Sequence, residues 1–98
     1  MTVISILEFT VKAEALEGAA AVVHDVLTAT RSREGSLGIE VTVDVDDPAH
    51  YLVVERWDSI ESDDAYRAWR ASPGGKSALG DILAGPPTLT RALLTDTL

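Results

Sequence analysis

The sequence has no cysteine, few aromatic residues and half as many basic as acidic residues. Without cysteine, disulfide bonds and thiolate catalysis are excluded, and a reducing cytoplasm is the expected compartment. The 8 Lys and Arg stand against 16 Asp and Glu, which gives a formal net charge of −8. Because phosphate binding depends on basic side chains, nucleic acid is not an expected partner.

Long apolar runs and ligand-binding motifs are also missing. No stretch approaches the roughly 18 apolar residues of a membrane span, so we expect no membrane association. There is no Gly-rich phosphate loop, no nucleotide fingerprint and no His and carboxylate cluster at ligand spacing, so we predict no cofactor and no metal. The 98 residues are expected to form one domain, residues 1–98, whose small core dimerisation would help to stabilise.

The hydrophobic periodicity predicts four strands and two main helices, with a short helix before the last strand. Along the chain these are strand 3–11, helix 13–33, strand 37–45, a turn at 46–49, strand 51–57, helix 60–71, short helix 76–83 and strand 88–97. The βαββαβ order predicts an α+β, ferredoxin-like fold with an antiparallel sheet.

Alternation in strand 37–45 predicts that one of its faces is buried, because apolar residues occupy every second position: Leu37, Ile39, Val41, Val43 and Val45. A small sheet with helices on one side leaves its other side open. We therefore predict a homodimer, with strand 88–97 as the element that reaches the partner.

Four of the aromatic residues lie in one part of the sequence: Tyr51, Trp57, Tyr66 and Trp69. A planar substrate needs aromatic walls and a few polar groups that orient it. We predict a pocket between the sheet and helix 60–71, lined by Trp57, Tyr66 and Trp69 with an apolar wall of Val53, Leu7 and Leu27. The alternative is that these rings only fill the core, or that Trp69 packs on a partner.

Histidine chemistry has little support in this sequence. His50 lies beside the predicted hairpin turn, where we expect it to be exposed, and His24 lies at the edge of the apolar stripe of helix 13–33, where we expect it to be half-buried. No Ser, His and Asp arrangement for nucleophilic catalysis is indicated.

Several short motifs resemble those of the antibiotic biosynthesis monooxygenase family. They are Thr30-Arg31 with Gly35-Ser36-Leu37, Asp47-Pro48, Glu55-Arg56-Trp57, Trp57-Asp58-Ser59, Ala65-Tyr66-Arg67 and Gly85-Pro86-Pro87. The resemblance covers residues 3–95. It implies a dimeric α/β barrel whose two sheets pack face to face. It also implies a cofactor-independent monooxygenase that oxidises a phenolic, quinol or anthrone-type aromatic, such as a polyketide, with molecular oxygen.

The resemblance also implies roles for individual residues. Tyr66 would orient a substrate oxygen, and Trp57 would stack on the ring. Arg67 or Arg56 would favour the phenolate, and Glu55 would be a base if it faces the cavity. Tyr66 replaces the His that is common in quinol monooxygenases, and the segment after the helix, SPGGKSALG, has no His for haem. Two alternatives stay open: a non-catalytic ligand-binding or scaffold protein, and a cofactor-free polyketide cyclase or isomerase.

Overall fold

The computed structural model describes residues 1–98, and its elements follow the order βαββαβ. The strands are β1 (Val3–Thr10), β2 (Ser36–Asp44), β3 (Asp47–Trp57) and β4 (Thr88–Leu93), and the helices are α1 (Ala19–Arg31) and α2 (Ile60–Ala71). One antiparallel sheet has the strand order β2-β3-β1-β4. The predicted α+β, ferredoxin-like fold is confirmed.

The first helix is shorter than predicted. Residues Ala13–Ala15 form a 3₁₀ turn, and α1 begins only after Gly18, which is its N-cap residue. Glycine has a high entropic cost inside a helix, so the chain changes direction there. The predicted short helix 76–83 is likewise a 3₁₀ turn at Ala78–Ile82, preceded by another at Pro73–Gly75. The last strand ends at Leu93, four residues earlier than predicted.

The hairpin turn lies earlier than predicted, because β2 ends at Asp44 and β3 already begins at Asp47. The Asp44 carboxylate accepts a hydrogen bond from the Asp46 amide at 2.8 Å, and the Asp47 carboxylate accepts one from Ala49 at 3.0 Å. Pro48 fits into β3 because it lies in an irregularity of the β2–β3 pairing, between the pairs Asp44 with Asp47 and Val43 with Tyr51, where it has no partner on β2.

Two hydrophobic clusters join the helices to one face of the sheet. Under α1 the cluster includes Phe9, Val23 and Tyr51, and the Phe9 and Tyr51 rings stack with centroids 5.4 Å apart. Under α2 the smaller cluster consists of Val3, Trp57 and Tyr66, with Trp69 packed against it. Opposite residues of antiparallel strands share a face, and the pairs Val3 with Trp57, Ser5 with Glu55 and Leu7 with Val53 all face the helices.

The apolar face of β2 is not buried as predicted. A register shift between Ser36 and Gly38 takes Leu37 out of the alternation, and Val41, Val43 and Val45 are 47%, 43% and 97% exposed. β2 is an edge strand, paired only with β3, and the hairpin end extends beyond the cover that α1 provides. Only Ile39 packs against the core.

The opposite face of the sheet is not covered by either helix. It presents half-buried apolar side chains from the two central strands, which are Ile4, Ile6, Leu52 and Val54. None of the helices is long and apolar enough to cross a membrane.

Candidate active site

A pocket of about 300 Å³ lies between the sheet, the two helices and the segment 72–87. Its apolar wall consists of Leu7, Val26, Leu27, Leu79, Leu83 and Pro87. Its polar side chains are Tyr66, Arg67, Arg70, Lys76 and Ser77, and no Asp or Glu lines it. Small-molecule sites have this construction, with a mostly apolar wall and a few polar groups that fix orientation.

The structure places some of the predicted residues in this pocket and others behind it. Leu7, Leu27, Tyr66 and Arg67 line the pocket. Val53 borders an adjoining apolar void that shares Leu7 and Leu27 and has no room for water. Trp57, Trp69 and Glu55 are absent from the lining. Arg56 is exposed and lies opposite Ile4, so it faces away from the helices.

Trp57 packs directly against the Tyr66 ring. It is fully buried, and its ring stacks on Tyr66 with centroids 5.0 Å apart. Trp69 also tilts against Tyr66, with ring centroids 6.1 Å apart, and the Arg33 guanidinium lies 4.1 Å from the Trp69 ring centre. Both indoles therefore contact the Tyr66 ring, and of the three rings only Tyr66 lines the pocket.

The Tyr66 hydroxyl joins α2 to α1. It lies 2.7 Å from the Thr30 hydroxyl and accepts a hydrogen bond from Arg70 Nε at 2.8 Å. Arg70 also donates to the Val26 carbonyl, to Thr30 and to the Gly75 carbonyl. A phenol offers one proton and two lone pairs, so these two partners leave one of its three hydrogen-bonding positions unused.

A cluster of buried charges fixes Arg67. Asp63 is fully buried on α2 and accepts a hydrogen bond from the Ser5 hydroxyl at 2.7 Å. Its oxygens pair with Arg67 Nε at 3.0 Å and with Arg91 Nε at 2.9 Å. Glu55, 1% exposed, completes the cluster through Arg67 Nη2 at 2.5 Å. Paired in this way, the charges can be buried without the full desolvation cost.

Glu55 lies behind Arg67 and does not line the pocket. Burial raises the pKa of the Glu55 carboxyl above its ordinary value, and the positive charge of Arg67 opposes that rise. The Trp57 indole N–H donates to Oε1 at 3.1 Å, whereas the buried Oε2 has no hydrogen-bond partner. Glu55 thus fixes the positions of the Trp57 and Arg67 side chains without lining the pocket itself.

His50 differs from the prediction of an exposed turn residue. It lies inside β3, half-buried, with Nδ1 2.9 Å from Asp44 and Nε2 2.7 Å from Glu8. The hydrogen bond to Asp44, and then that to Glu8, raise the pKa of His50. His24 is exposed on α1, not half-buried. No group of three or more His, Asp or Glu side chains is arranged to hold a metal ion.

Sequence reasoning missed four residues of this site: Thr30, Asp63, Arg70 and Lys76. For Arg70 a signal existed, because Tyr66 and Arg70 are one helical turn apart, as are Asp63 and Arg67. Thr30 lies in the Thr30-Arg31 motif, which indicated no role for it, and no local pattern marks Lys76; both reach the site from other parts of the chain.

The fold and the pocket define a small ferredoxin-like protein with a ligand-sized site between sheet and helices. The family model of antibiotic biosynthesis monooxygenases matches residues 2–79, and the chain belongs to that family. No curated protein matches it.

Several solved structures share the whole fold. Rv0793 from Mycobacterium tuberculosis is 22% identical, with a TM-score of 0.79 over 99% of this chain and 98% of that one. A variant of SnoaB, a cofactor-independent oxygenase from Streptomyces nogalater, is 20% identical, with a TM-score of 0.78 over 99% and 96%. A conserved protein from Methanosarcina mazei Go1 is 17% identical, with a TM-score of 0.78 over 94% and 91%.

Proposed function

We propose that the protein is a cofactor-independent monooxygenase that oxidises a phenolic, quinol or anthrone-type aromatic with molecular oxygen. The observation that carries this proposal is the composition of the pocket. An apolar wall faces a tyrosine and two arginines, and no carboxylate lines the space. Membership of the antibiotic biosynthesis monooxygenase family supports the same reaction class.

An anthrone illustrates the chemistry. Its ring CH₂ loses one proton, and the resulting anion gives one electron to O₂. The substrate radical and superoxide then combine to form a C–O bond, and the peroxide takes up a proton. Loss of water, with the second hydrogen of that carbon, leaves a C=O group. One oxygen atom enters the product and the other enters water, so the substrate supplies all the electrons that O₂ requires.

The pocket residues assist this sequence in distinct ways. Positive charges close to a phenol or enol lower its pKa, so Arg67 and Arg70 favour the electron-rich anion. The free position on the Tyr66 hydroxyl orients a substrate oxygen, and the leucine wall keeps bulk water from the radical pair. Trp57 and Glu55 act as positioning residues, because they touch Tyr66 and Arg67 and do not line the pocket.

Oxygen uptake with anthrones and hydroquinones tests the proposal, after treatment of the protein with a chelator. Tyr66→Phe keeps the ring and removes one hydroxyl. We expect turnover to fall by more than the roughly tenfold that corresponds to ~1.4 kcal/mol of lost hydrogen bonding. The variant will also lose stability, because the hydroxyl bonds Thr30 and Arg70.

Thr30→Val is the matched control. It removes the same hydrogen bond between the helices, together with the acceptor of one Arg70 Nη2 hydrogen bond, and Thr30 itself does not line the pocket. If Tyr66 acts on the substrate, Thr30→Val should retain most of the rate at a similar loss of stability. Equal rates for the wild type and Tyr66→Phe would remove Tyr66 from the mechanism.

The closed packing around Trp57 and Val53 favours one alternative, a non-catalytic ligand-binding protein. Trp57 and Val53 are fully buried, so only part of the predicted aromatic wall is available to a ligand. In that case aromatic ligands bind the pocket, while oxygen uptake stays at the rate of the buffer alone.

A further inference from the structure

Positive charge is concentrated at this pocket in an otherwise acidic protein. The chain has only 8 Lys and Arg, and its net charge is −8. Three of those basic residues, Arg67, Arg70 and Lys76, line the one pocket, and no acidic residue does. The net negative charge of the protein repels anions. An anion that binds in this pocket must therefore be held by these three basic side chains.

Two of the three charges have no compensating carboxylate. Arg67 is paired with Glu55 and Asp63, whereas neither Arg70 nor Lys76 takes part in any ion pair. The hydrogen-bond acceptors of Arg70 are all neutral: Tyr66, Thr30 and the carbonyls of Val26 and Gly75. Those four bonds leave one of its five N–H groups unused, on Nη1.

Arg70 and Lys76 also mark the boundary between two spaces. Both line the inner apolar pocket, and both line an adjacent, more open groove of about 380 Å³ with Ala71, Ser72 and Pro73. A ring in the inner pocket would therefore direct a substituent past these two side chains. Next to them Ser77 accepts a hydrogen bond from the Leu79 amide and keeps its own proton to donate.

We propose that the ligand of this pocket carries a carboxylate in addition to its aromatic ring, and that Arg70 and Lys76 bind this carboxylate at the boundary between pocket and groove. This inference relies on the proposed function for the location of the ligand site. It does not depend on the oxidation reaction. It makes Lys76 a specificity-determining residue. Charge-assisted contacts of this kind are stronger than neutral hydrogen bonds, so they discriminate between acids and their neutral analogues.

The test compares two fluorescent probes of nearly equal shape, anthracene-2-carboxylate and anthracene-2-carboxamide, titrated into the purified protein at low ionic strength. We expect the wild type to bind the carboxylate about tenfold more tightly, the effect of one hydrogen bond to a charged group. Added salt should weaken binding of the carboxylate and leave that of the amide nearly unchanged.

Lys76→Met should reduce the preference roughly threefold, as the loss of one partly exposed ion pair implies. Lys76→Arg should restore it. The control is Arg31→Gln, which changes the net charge equally but lies outside the pocket and should keep the full preference. Lys76 is exposed and forms no ion pair, so its replacement should leave the fold intact.

Equal affinity of the wild type for the two probes would overturn the inference, as would an equal loss of preference in Lys76→Met and Arg31→Gln. Oxygen uptake separates this result from the proposed reaction. A carboxylate preference without uptake from any anthrone supports the inference and counts against the monooxygenase. Uptake combined with equal binding of the probes overturns the inference alone.

Discussion

Two buried carboxylates, Glu55 and Asp63, are held by arginines that remain partly exposed. Asp63 accepts a hydrogen bond from Ser5 of β1 and forms ion pairs with Arg67 of its own helix and with Arg91 of β4. Such a cluster fixes side-chain positions more than it adds net stability, since burial offsets much of the attraction between charges. Its consequence for the site is a rigid Arg67 at the edge of the pocket.

The buried carboxyl of Glu55 should make stability depend on pH in a defined direction. Because burial raises its pKa above the ordinary 4.5, the group favours folding at pH values below 4.5, and this contribution is lost as the pH rises through the raised folded pKa. Glu55→Gln removes that dependence and keeps an acceptor for Trp57 and Arg67. In urea unfolding at pH 4 to 7, the stability of Glu55→Gln relative to the wild type should rise with pH. A fall would contradict the assigned pKa shift.

The His50 ring should stabilise the fold only in acid. Asp44 and Glu8 raise its pKa, so its contribution is fully present below the ordinary value of 6.5 and is lost as the pH rises through the folded pKa. His50→Gln should therefore lower the melting temperature at pH 5.5 and change it little at pH 9. His24→Gln serves as control, because that exposed side chain forms no hydrogen bond. Equal effects of His50→Gln at both pH values would contradict this assignment.

Among the elements, the segment 72–87 makes the largest contribution to the pocket. It supplies Lys76, Ser77, Leu79, Leu83 and Pro87. Backbone hydrogen bonds tie its far end to the end of β1, from the Lys12 amide to the Ile82 carbonyl and from the Ala84 amide to the Thr10 carbonyl. At its near end Gly75 packs against the last turn of α2, where no side chain fits.

Gly75 and Gly74 form a matched pair for testing this segment. A Cβ on Gly75 would lie 1.9 Å from the Trp69 carbonyl oxygen, whereas one on Gly74 would meet nothing within 4 Å. We expect Gly75→Ala to cost about 2 kcal/mol or more by overpacking, and to weaken ligand binding as Lys76 shifts. Gly74→Ala should be near neutral in thermal unfolding and in probe titration. Similar behaviour of the two variants would show that the segment is not seated on α2.

The whole molecule has one sheet face that its own helices leave open. Ile4, Ile6, Leu52 and Val54 lie on that face, in the two central strands. An apolar surface of this kind is typical of association between chains. We therefore predict that the two chains of the homodimer associate through this face. Deleting the chain after Gly85 would be a poor test, because β4 pairs with β1 along Val3 to Glu8 within the same chain.

A single charge on the open face provides a sharper test of the homodimer. Light scattering should give the wild type about twice its 10.4 kDa chain mass at micromolar concentration. Ile6→Lys places an ammonium group in the middle of the face and should shift the protein to the monomer. Val45→Lys introduces the same charge at a hairpin position that is 97% exposed and should leave the mass unchanged. A wild-type mass near that of one chain would contradict the prediction.

The sequence alone determined the elements whose signals are local. The hydrophobic periodicity predicted the βαββαβ order of the elements, and it predicted α2 at its observed bounds, Ile60–Ala71. The errors fell where packing overrides the local signal: α1 begins only after Gly18, and the alternating apolar residues of β2 have no cover at its hairpin end.

Only the tertiary structure decided which of those residues reach the pocket. Trp57 and Tyr66 looked equivalent in the sequence, but stacking places Trp57 beneath Tyr66, so only the tyrosine remains accessible. Thr30 and Lys76 join the site because α1 and the segment 72–87 pack over the same part of the sheet. Depth in a core and contact between distant segments depend on the packing of all elements together, and no local pattern encodes them.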